Sequence, residues 1–163
     1  SANPVSVEKL SSFNLSNYNT FYVKVAGNED AKVSPFTKSG LKKEFTKQLK
    51  VLGLTVDEKT PDFFVKISLD IGNGKRSSMN TWRRNRTPYY GGGFQVYVFD
   101  DDYNKERSYL RATLYSTADE EPLWTGLRAT KYVDTDLKLS EEEIIKYVES
   151  FLDEIVNSQG TSQ

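Results

Sequence analysis

FFVKISLDI, residues 63–71, is the clearest β-strand pattern in this 163-residue chain. Apolar residues occupy every odd position of the stretch and alternate with Phe64, Lys66, Ser68 and Asp70. Because successive side chains of a strand point to opposite faces, this alternation predicts a strand with one buried and one solvated face. A sheet built from such strands needs an apolar layer on one side only.

Two amphipathic helix patterns lie on either side of this strand and can supply that layer. The first begins at Ser34-Pro35 and ends at Gly53, the residue type that favours a helix C-terminus. Its apolar stripe consists of Leu41, Phe45, Leu49 and Leu52. The second begins at Ser140, which with Glu143 three residues later has the spacing of a capping box. Its apolar stripe consists of Ile144, Val148, Phe151, Leu152 and Ile155.

Further alternating segments complete the predicted sheet, at residues 21–25, 94–99, 109–115 and 123–132. The element order is therefore β-α-β-β-β-β-α. This order predicts an α+β two-layer sandwich of about five mostly antiparallel strands, with both helices on one face. The opposite face carries aromatic and polar side chains, among them Tyr97, Phe99, Tyr109 and Tyr115.

The length fits a single domain, for which we predict residues 17–157. We expect residues 1–16 to form a loosely ordered arm in which Phe13 and Leu15 can reach the core, and residues 158–163 to be a frayed tail. Trp124 is expected in the core or at the seam between helix and sheet, and Gly126 is expected to permit close packing.

Composition excludes several classes of site. The chain contains no Cys, so it has no disulfide and no thiolate nucleophile. It also contains no His, which is the commonest general base in enzymes. We therefore predict a non-enzymatic protein without cofactor or metal. A net charge of −1 argues against a dedicated nucleic-acid binder, and no apolar run is long enough to span a membrane.

The segment of residues 72–93, GNGKRSSMNTWRRNRTPYYGGG, concentrates positive charge between two strand patterns and contains no acid. Arginine pairs bidentately with phosphate or carboxylate, and aromatic rings stack on sugar faces, so the segment is a candidate site for an anionic partner. The candidate binding residues are Lys75, Arg76, Trp82, Arg83, Arg84, Arg86, Tyr89 and Tyr90. A solvated loop without a partner is the alternative interpretation.

Other motifs are weaker. Residues 72–77 resemble a phosphate-binding loop but lack its spacing and a following helix. Residues 100–104 carry acids at calcium-loop spacing, yet Lys105 stands where the turn requires Gly, so a surface turn is the better interpretation. Carboxylates could serve a hydrolase without His, but nothing in the sequence places two of them across a cleft. The available ones are Asp62, Asp70, Asp100 and Glu106.

Several short motifs together resemble a bacterial family known as domain of unknown function 4136, whose members are mostly lipoproteins of the cell envelope. The likeness lies in FNLSNYNTF (13–21), LKVLGL (49–54), PDFFV (61–65), LWTG (123–126) and the C-terminal amphipathic helix. The resemblance implies export, a removed signal peptide and a lipid anchor upstream of Ser1, on the periplasmic side of a membrane. It implies no catalytic residues, and no lipobox Cys occurs among these 163 residues.

Three hypotheses for the function follow. The first is an exported, lipid-anchored interaction or structural module whose basic-aromatic segment contacts an anionic envelope component or an acidic protein surface. The second is a small-ligand or glycan-binding protein that uses the aromatic outer face of the sheet. The third, more distant, is a carboxylate-type hydrolase. The sequence identifies neither the partner nor the oligomeric state.

Overall fold

The computed structural model describes residues 5–26, 33–73, 106–130 and 136–159. A short 3-10 helix lies at Leu15–Asn17. The other elements in these residues are, in chain order, β1 (Ser6–Lys9), β2 (Thr20–Val25), α1 (Pro35–Val51), β3 (Thr55–Val56), β4 (Phe63–Asn73), β5 (Glu106–Ser116), β6 (Pro122–Ala129) and α2 (Glu141–Gln159).

The strands form one mixed sheet in the order β1-β6-β5-β4-β2-β3. At its centre, β4 and β5 pair antiparallel over their full length, from Phe63 opposite Ser116 to Asn73 opposite Glu106. β6 is antiparallel to both β5 and β1, whereas β2 is parallel to β4 and β3. Three of the five neighbouring pairs in this described sheet are antiparallel. The predicted α+β class with mostly antiparallel strands is thus confirmed.

Both helices cover the same face of the sheet. Alternate residues of β2, β4 and β5 are buried there, namely Phe21, Val23, Phe63, Val65, Ile67, Leu69, Leu110, Ala112 and Leu114. They belong to one apolar cluster with the buried residues of both helices. The Phe45 ring of α1 lies 6.5 Å from the Phe151 ring of α2, so the helices also contact each other. α1 connects β2 to its parallel neighbour β4, because parallel strands need a long crossover connection. The predicted two-layer arrangement is confirmed.

The helix ends follow the sequence closely. The Ser34 hydroxyl accepts a hydrogen bond from the Phe36 N–H at the start of α1, and Gly53 follows its end with φ +101°. At α2, the Ser140 N–H donates to Glu143 Oε1 and the Glu143 N–H donates to Ser140 Oγ, which is the reciprocal capping box. Within the described residues, no helix is long and apolar enough to cross a membrane.

The structure differs from the sequence prediction in its edge strands. β1 lies inside the segment expected to be a loose arm, where it pairs with β6, and Phe13 and Leu15 are buried in the core. A four-residue strand is too short to show a periodic pattern, and the same holds for the two residues of β3. The strand predicted at residues 94–99 lies outside the described residues.

The prediction for Leu52 was wrong. Leu41, Phe45 and Leu49 are buried, but the Leu52 side chain is 45% exposed. Helical spacing places Leu52 on the apolar stripe only if the helix continues, and α1 ends at Val51 with Leu52 as its C-cap. Leu52 therefore lies beside the exposed end of α1 instead of beneath it.

Trp124 is buried, as predicted, at 1% exposure. Its ring meets the Phe151 ring edge-to-face at 6.5 Å, and its indole N–H donates to Ser158 Oγ at 3.3 Å. A Cβ built on Gly126 would lie 2.5 Å from Trp124 Cη2 and 3.0 Å from Val5 Cγ1. The indole therefore packs directly on the backbone of its own strand, which confirms the close-packing role expected of Gly126.

Candidate functional site

The eight candidate residues of the basic segment lie outside the described residues. The structure does show where that segment is attached. β4 and β5 stay paired up to Gly72 opposite Arg107 and Asn73 opposite Glu106. Both ends of the 74–105 segment are therefore fixed at neighbouring positions at one end of the central strand pair.

The outer face of the sheet, on the side away from the helices, carries polar and aromatic side chains from several strands. It is formed by even-numbered residues of β2 and β4 and odd-numbered residues of β5, which alternate with the buried ones. Tyr109 and Tyr115 lie there half-buried, as predicted, while Tyr97 and Phe99 fall outside the described residues. The outer face has a polar centre and an aromatic end.

The polar centre is a hydrogen-bonded chain across three strands. Arg111 Nε on β5 donates to Asp70 Oδ2 on β4 at 3.0 Å, and Arg111 Nη1 donates to Thr125 Oγ1 on β6 at 3.0 Å. The Thr125 and Thr113 hydroxyls are 2.8 Å apart. The Asp70 and Arg111 side chains are 43% and 36% exposed, so solvent screens this ion pair. Asp70 is thus paired, in addition to lying on the polar face as expected.

The aromatic end carries two lysines. Phe64 on β4 and Tyr115 on β5 stack with ring centroids 5.5 Å apart and an interplanar angle of 27°. Lys24 Nζ on β2 lies 4.6 Å from the centre of the Phe64 ring. Lys24 is also the register neighbour of Lys66 on β4, and both side chains are exposed. We call Lys24, Phe64, Lys66 and Tyr115 the lysine-aromatic patch.

No described carboxylate lies within ion-pair distance of either lysine of the patch. Among the described residues, the one ion pair within 4 Å joins Asp70 to Arg111. Two neighbouring ammonium groups without a counterion repel each other, and they attract any anion that approaches the surface. The patch can therefore hold a phosphate or carboxylate beside the stacked Phe64 and Tyr115 rings.

The carboxylates considered for a hydrolase do not form a catalytic pair in the described structure. Asp62 Oδ2 accepts hydrogen bonds from the Asn19 N–H at 2.7 Å and the Thr20 N–H at 3.1 Å, which ties the start of β4 to the start of β2. Asp70 is held by Arg111. Asp100 and the Glu106 side chain lie outside the described part. Asp62 therefore has the structural role that its position after Pro61 indicated.

Two pKa shifts are resolved near the ends of the sheet. Burial, with smaller contributions from the Asp119 and Asp62 carboxylates, raises the pKa of Tyr18 above its ordinary value of 10.0. Backbone hydrogen bonds, first from Thr60, lower the pKa of Asp57 below 3.8 in the exposed turn after β3. Neither group belongs to the outer face. Each shift follows from local surroundings: burial disfavours the ionised Tyr18 hydroxyl, and backbone hydrogen bonds favour the ionised Asp57 carboxylate.

A family model described as "Domain of unknown function (DUF4136)" matches residues 5–157. The chain belongs to the DUF4136 family. The motifs that carry the likeness have structural roles in this DUF4136 domain. In LWTG, Trp124 fills the core and Gly126 gives it room, and in PDFFV, Asp62 ties two strands together. No curated protein matches the chain significantly.

Three solved structures are similar to the DUF4136 domain. A PDZ domain protein from Parabacteroides distasonis is 14% identical with a TM-score of 0.59, over 98% of this chain and 36% of that one. The domain thus spans little more than a third of that protein. A PelC dodecamer from Paraburkholderia phytofirmans is 10% identical, with a TM-score of 0.46 over 89% of this chain and 97% of that one.

The third structure is a Xanthomonas campestris protein, 10% identical with a TM-score of 0.39, over 98% of this DUF4136 chain and 90% of that one. At 14% identity the first likeness bears on the fold alone. TM-scores below 0.5 support no conclusion from the other two.

Sequence reasoning missed the lysine-aromatic patch of the DUF4136 domain. Lys24 and Lys66 each stand at an ordinary polar position of an alternating strand, and 41 residues of chain separate them. Only the parallel register of β2 and β4 brings them together. The signal available in the sequence was the aromatic Phe64 at a position where the strand's alternation calls for a polar residue.

Proposed function

We propose that this domain is a non-enzymatic interaction module of the bacterial cell envelope, exported and lipid-anchored, which binds an anionic partner. The lysine-aromatic patch is the described part of the binding surface, and the basic segment, attached at the other end of the β4–β5 pair, supplies further cations. The partner chemistry is a phosphate- or carboxylate-bearing envelope component, or an acidic protein surface. Anchoring and export are carried over from the character of the family that the sequence motifs resemble.

The neighbouring positions of Lys24 and Lys66 carry the proposal. A like-charge pair across two strands costs on the order of several tenths of a kcal/mol in the free domain. An anion bound between the two ammonium groups removes this repulsion and gains two favourable interactions. The cations of the segment attached to β4 and β5 add to the same attraction.

Binding to vesicles and envelope polymers tests this function. Phosphatidylglycerol-containing vesicles, lipopolysaccharide and peptidoglycan sacculi serve as probes in co-sedimentation at low and high salt. Each cation near an anionic surface contributes on the order of 1 kcal/mol, so Lys24→Glu with Lys66→Glu should weaken binding about 30-fold or more. Reversal of Arg83, Arg84 and Arg86 should weaken it at least as much.

The matched control reverses two exposed lysines away from the outer face, Lys59→Glu with Lys138→Glu, for the same change in net charge. This variant should bind as the wild type does. Binding must also weaken as salt rises, because screening shortens the reach of exposed charges. Salt-independent binding, or unchanged binding of both reversal variants, would contradict the proposal.

Glycan binding is the second candidate, and the Phe64–Tyr115 stack favours it. The exposed parts of these two stacked rings offer apolar surface against which a sugar ring can pack. In that case a neutral oligosaccharide should bind equally at low and high salt. Tyr115→Ala should abolish this binding while the lysine reversal leaves it intact.

A further inference from the structure

The two helices carry opposite charge. α1 contains one acid, Glu44, and five lysines: Lys38, Lys42, Lys43, Lys47 and Lys50. α2 contains one lysine, Lys146, and six acids: Glu141, Glu142, Glu143, Glu149, Asp153 and Glu154. The helix layer thus presents a basic stripe beside an acidic stripe.

The helices lie side by side and run in the same direction. Near their starts, a Cβ on Gly40 would lie 2.7 Å from Ile144 Cδ1, so the Ile144 side chain of α2 packs directly on the α1 backbone there. One turn and more further along, the Phe45 and Phe151 rings are 6.5 Å apart. These two contacts determine which residues of α1 and α2 lie at the same level along the helix axes.

A groove lined by both apolar and charged side chains lies between the two charged stripes, toward the helix C-termini. The groove encloses about 530 Å³, and Leu152 and Val156 of α2 contribute to its lining. Exposed apolar side chains flank it: Val51 at 78%, Leu52 at 45% and Ile145 at 37%. Their exposure leaves apolar area in contact with water at the centre of this face.

The charged side chains that line the groove form no ion pair with other described residues of the same copy. Lys47, Glu149 and Asp153 all line the groove. Across the described residues, however, ion pairing within 4 Å is confined to Asp70 with Arg111 on the other side of the sheet. Lys43, Lys47, Glu149 and Asp153, which are all exposed, are therefore available to meet charges on another molecule.

We propose that a second copy of this chain binds this helix layer. A two-fold axis that lies in the interface, parallel to the helices, places α1 of each copy on α2 of the other. The groove of one copy then faces the groove of the other copy across the two-fold axis, as isologous dimers require. Lys43 of one copy comes level with Glu149 of the second copy, and Lys47 with Asp153.

The size of the layer sets the expected strength. A 17-residue helix is about 25 Å long and two adjacent helices are about 20 Å wide. The face of each copy therefore covers about 500 Å², and the dimer about 1,000 Å² in total, the lower limit for a specific interface. We expect a dissociation constant on the order of 10 µM that rises about tenfold between low and high salt.

Sedimentation velocity with charge-reversal variants of the full chain tests the dimer. Lys43→Glu with Lys47→Glu places acids on both sides of the two proposed contacts, and Glu149→Lys with Asp153→Lys places lysines on both sides. Each variant alone should be a monomer, with unchanged circular dichroism. An equimolar mixture should form a heterodimer of wild-type affinity, because every α1–α2 contact between the two variants is again complementary.

The control is Lys24→Glu with Lys66→Glu on the outer face, which changes net charge as the first variant does and should dimerise normally. A wild-type chain that stays monomeric at one hundred times the expected dissociation constant would overturn the proposal. A mixture of the two variants that remains monomeric would overturn it as well. Neither result depends on whether the outer face binds an anion.

Discussion

Replacing Gly126 by Ala should destabilise the domain through one defined steric conflict. The added Cβ would lie 2.5 Å from Trp124 Cη2, 3.1 Å from Trp124 Cζ3 and 3.0 Å from Val5 Cγ1. Val5 lies at the edge of the sheet and can move. The Trp124 ring is held by Ser158 and Phe151 and is fully buried, so it can move only by disturbing the core.

The net effect combines two opposing contributions. Overpacking a well-filled core costs about 1–3 kcal/mol. Removing a glycine from a strand recovers roughly 0.5–1 kcal/mol of backbone entropy. We therefore expect Gly126→Ala to lower the free energy of unfolding by about 1–2 kcal/mol. In a chain of this size, that corresponds to a melting temperature about 2–8 °C lower.

Urea unfolding followed by circular dichroism measures this free energy, and a double-mutant cycle tests its cause. Trp124→Phe removes the part of the ring that carries Cη2 and Cζ3, so it makes room for the Ala methyl group. The double variant should be more stable than the sum of the two single effects predicts, by about 0.5 kcal/mol or more. Additive effects, or a Gly126→Ala variant within about 0.5 kcal/mol of wild type, would refute the steric reasoning.

Three further predictions concern single side chains. Ser140→Ala should lower the free energy of unfolding in urea by about 1 kcal/mol, because the N-cap of α2 is lost. Ser140→Asp can still accept the hydrogen bond from the Glu143 N–H, so it should lower this free energy by only a few tenths of a kcal/mol. Since burial raises the pKa of Tyr18, its contribution to stability is fully present below the ordinary tyrosine pKa and is lost as pH rises through the folded value. Tyr18→Phe should therefore flatten the alkaline limb of the stability–pH profile, and an unchanged limb would exclude Tyr18 as its source. Lys66→Ala should leave the melting temperature unchanged or raise it slightly, because it removes the repulsion from Lys24, and it should weaken vesicle binding. Lys66→Arg should preserve the melting temperature and the binding. A clearly destabilised Lys66→Ala would show that the lysine pair serves folding.

Local signals in the sequence predicted most of the fold. The alternation in residues 63–71, the N-cap at Ser34 and the box of Ser140 with Glu143 each depend on residues a few positions apart, and each is confirmed. Leu52 shows the limit of such reasoning: its spacing matched the apolar stripe, but the helix ended first.

The candidate surfaces depend on contacts between distant residues. Lys24 meets Lys66 through a parallel register that no local pattern encodes. The opposite charges of α1 and α2 are visible in the sequence, but their common height follows from the Gly40–Ile144 and Phe45–Phe151 contacts. Sequence reasoning proposed the basic segment as the candidate site, and the structure adds the lysine-aromatic patch at the other end of the β4–β5 pair.

The pairing of Asn73 with Glu106 at the end of the β4–β5 pair affects how the sequence of this domain can vary. Asn73 and Glu106 hold the two ends of the intervening segment side by side, whatever its sequence. The entropy of closing a loop depends on length only logarithmically, so doubling the segment costs about 0.6 kcal/mol. A segment of different length or sequence can therefore be placed between these two residues while the described sheet and its core stay the same.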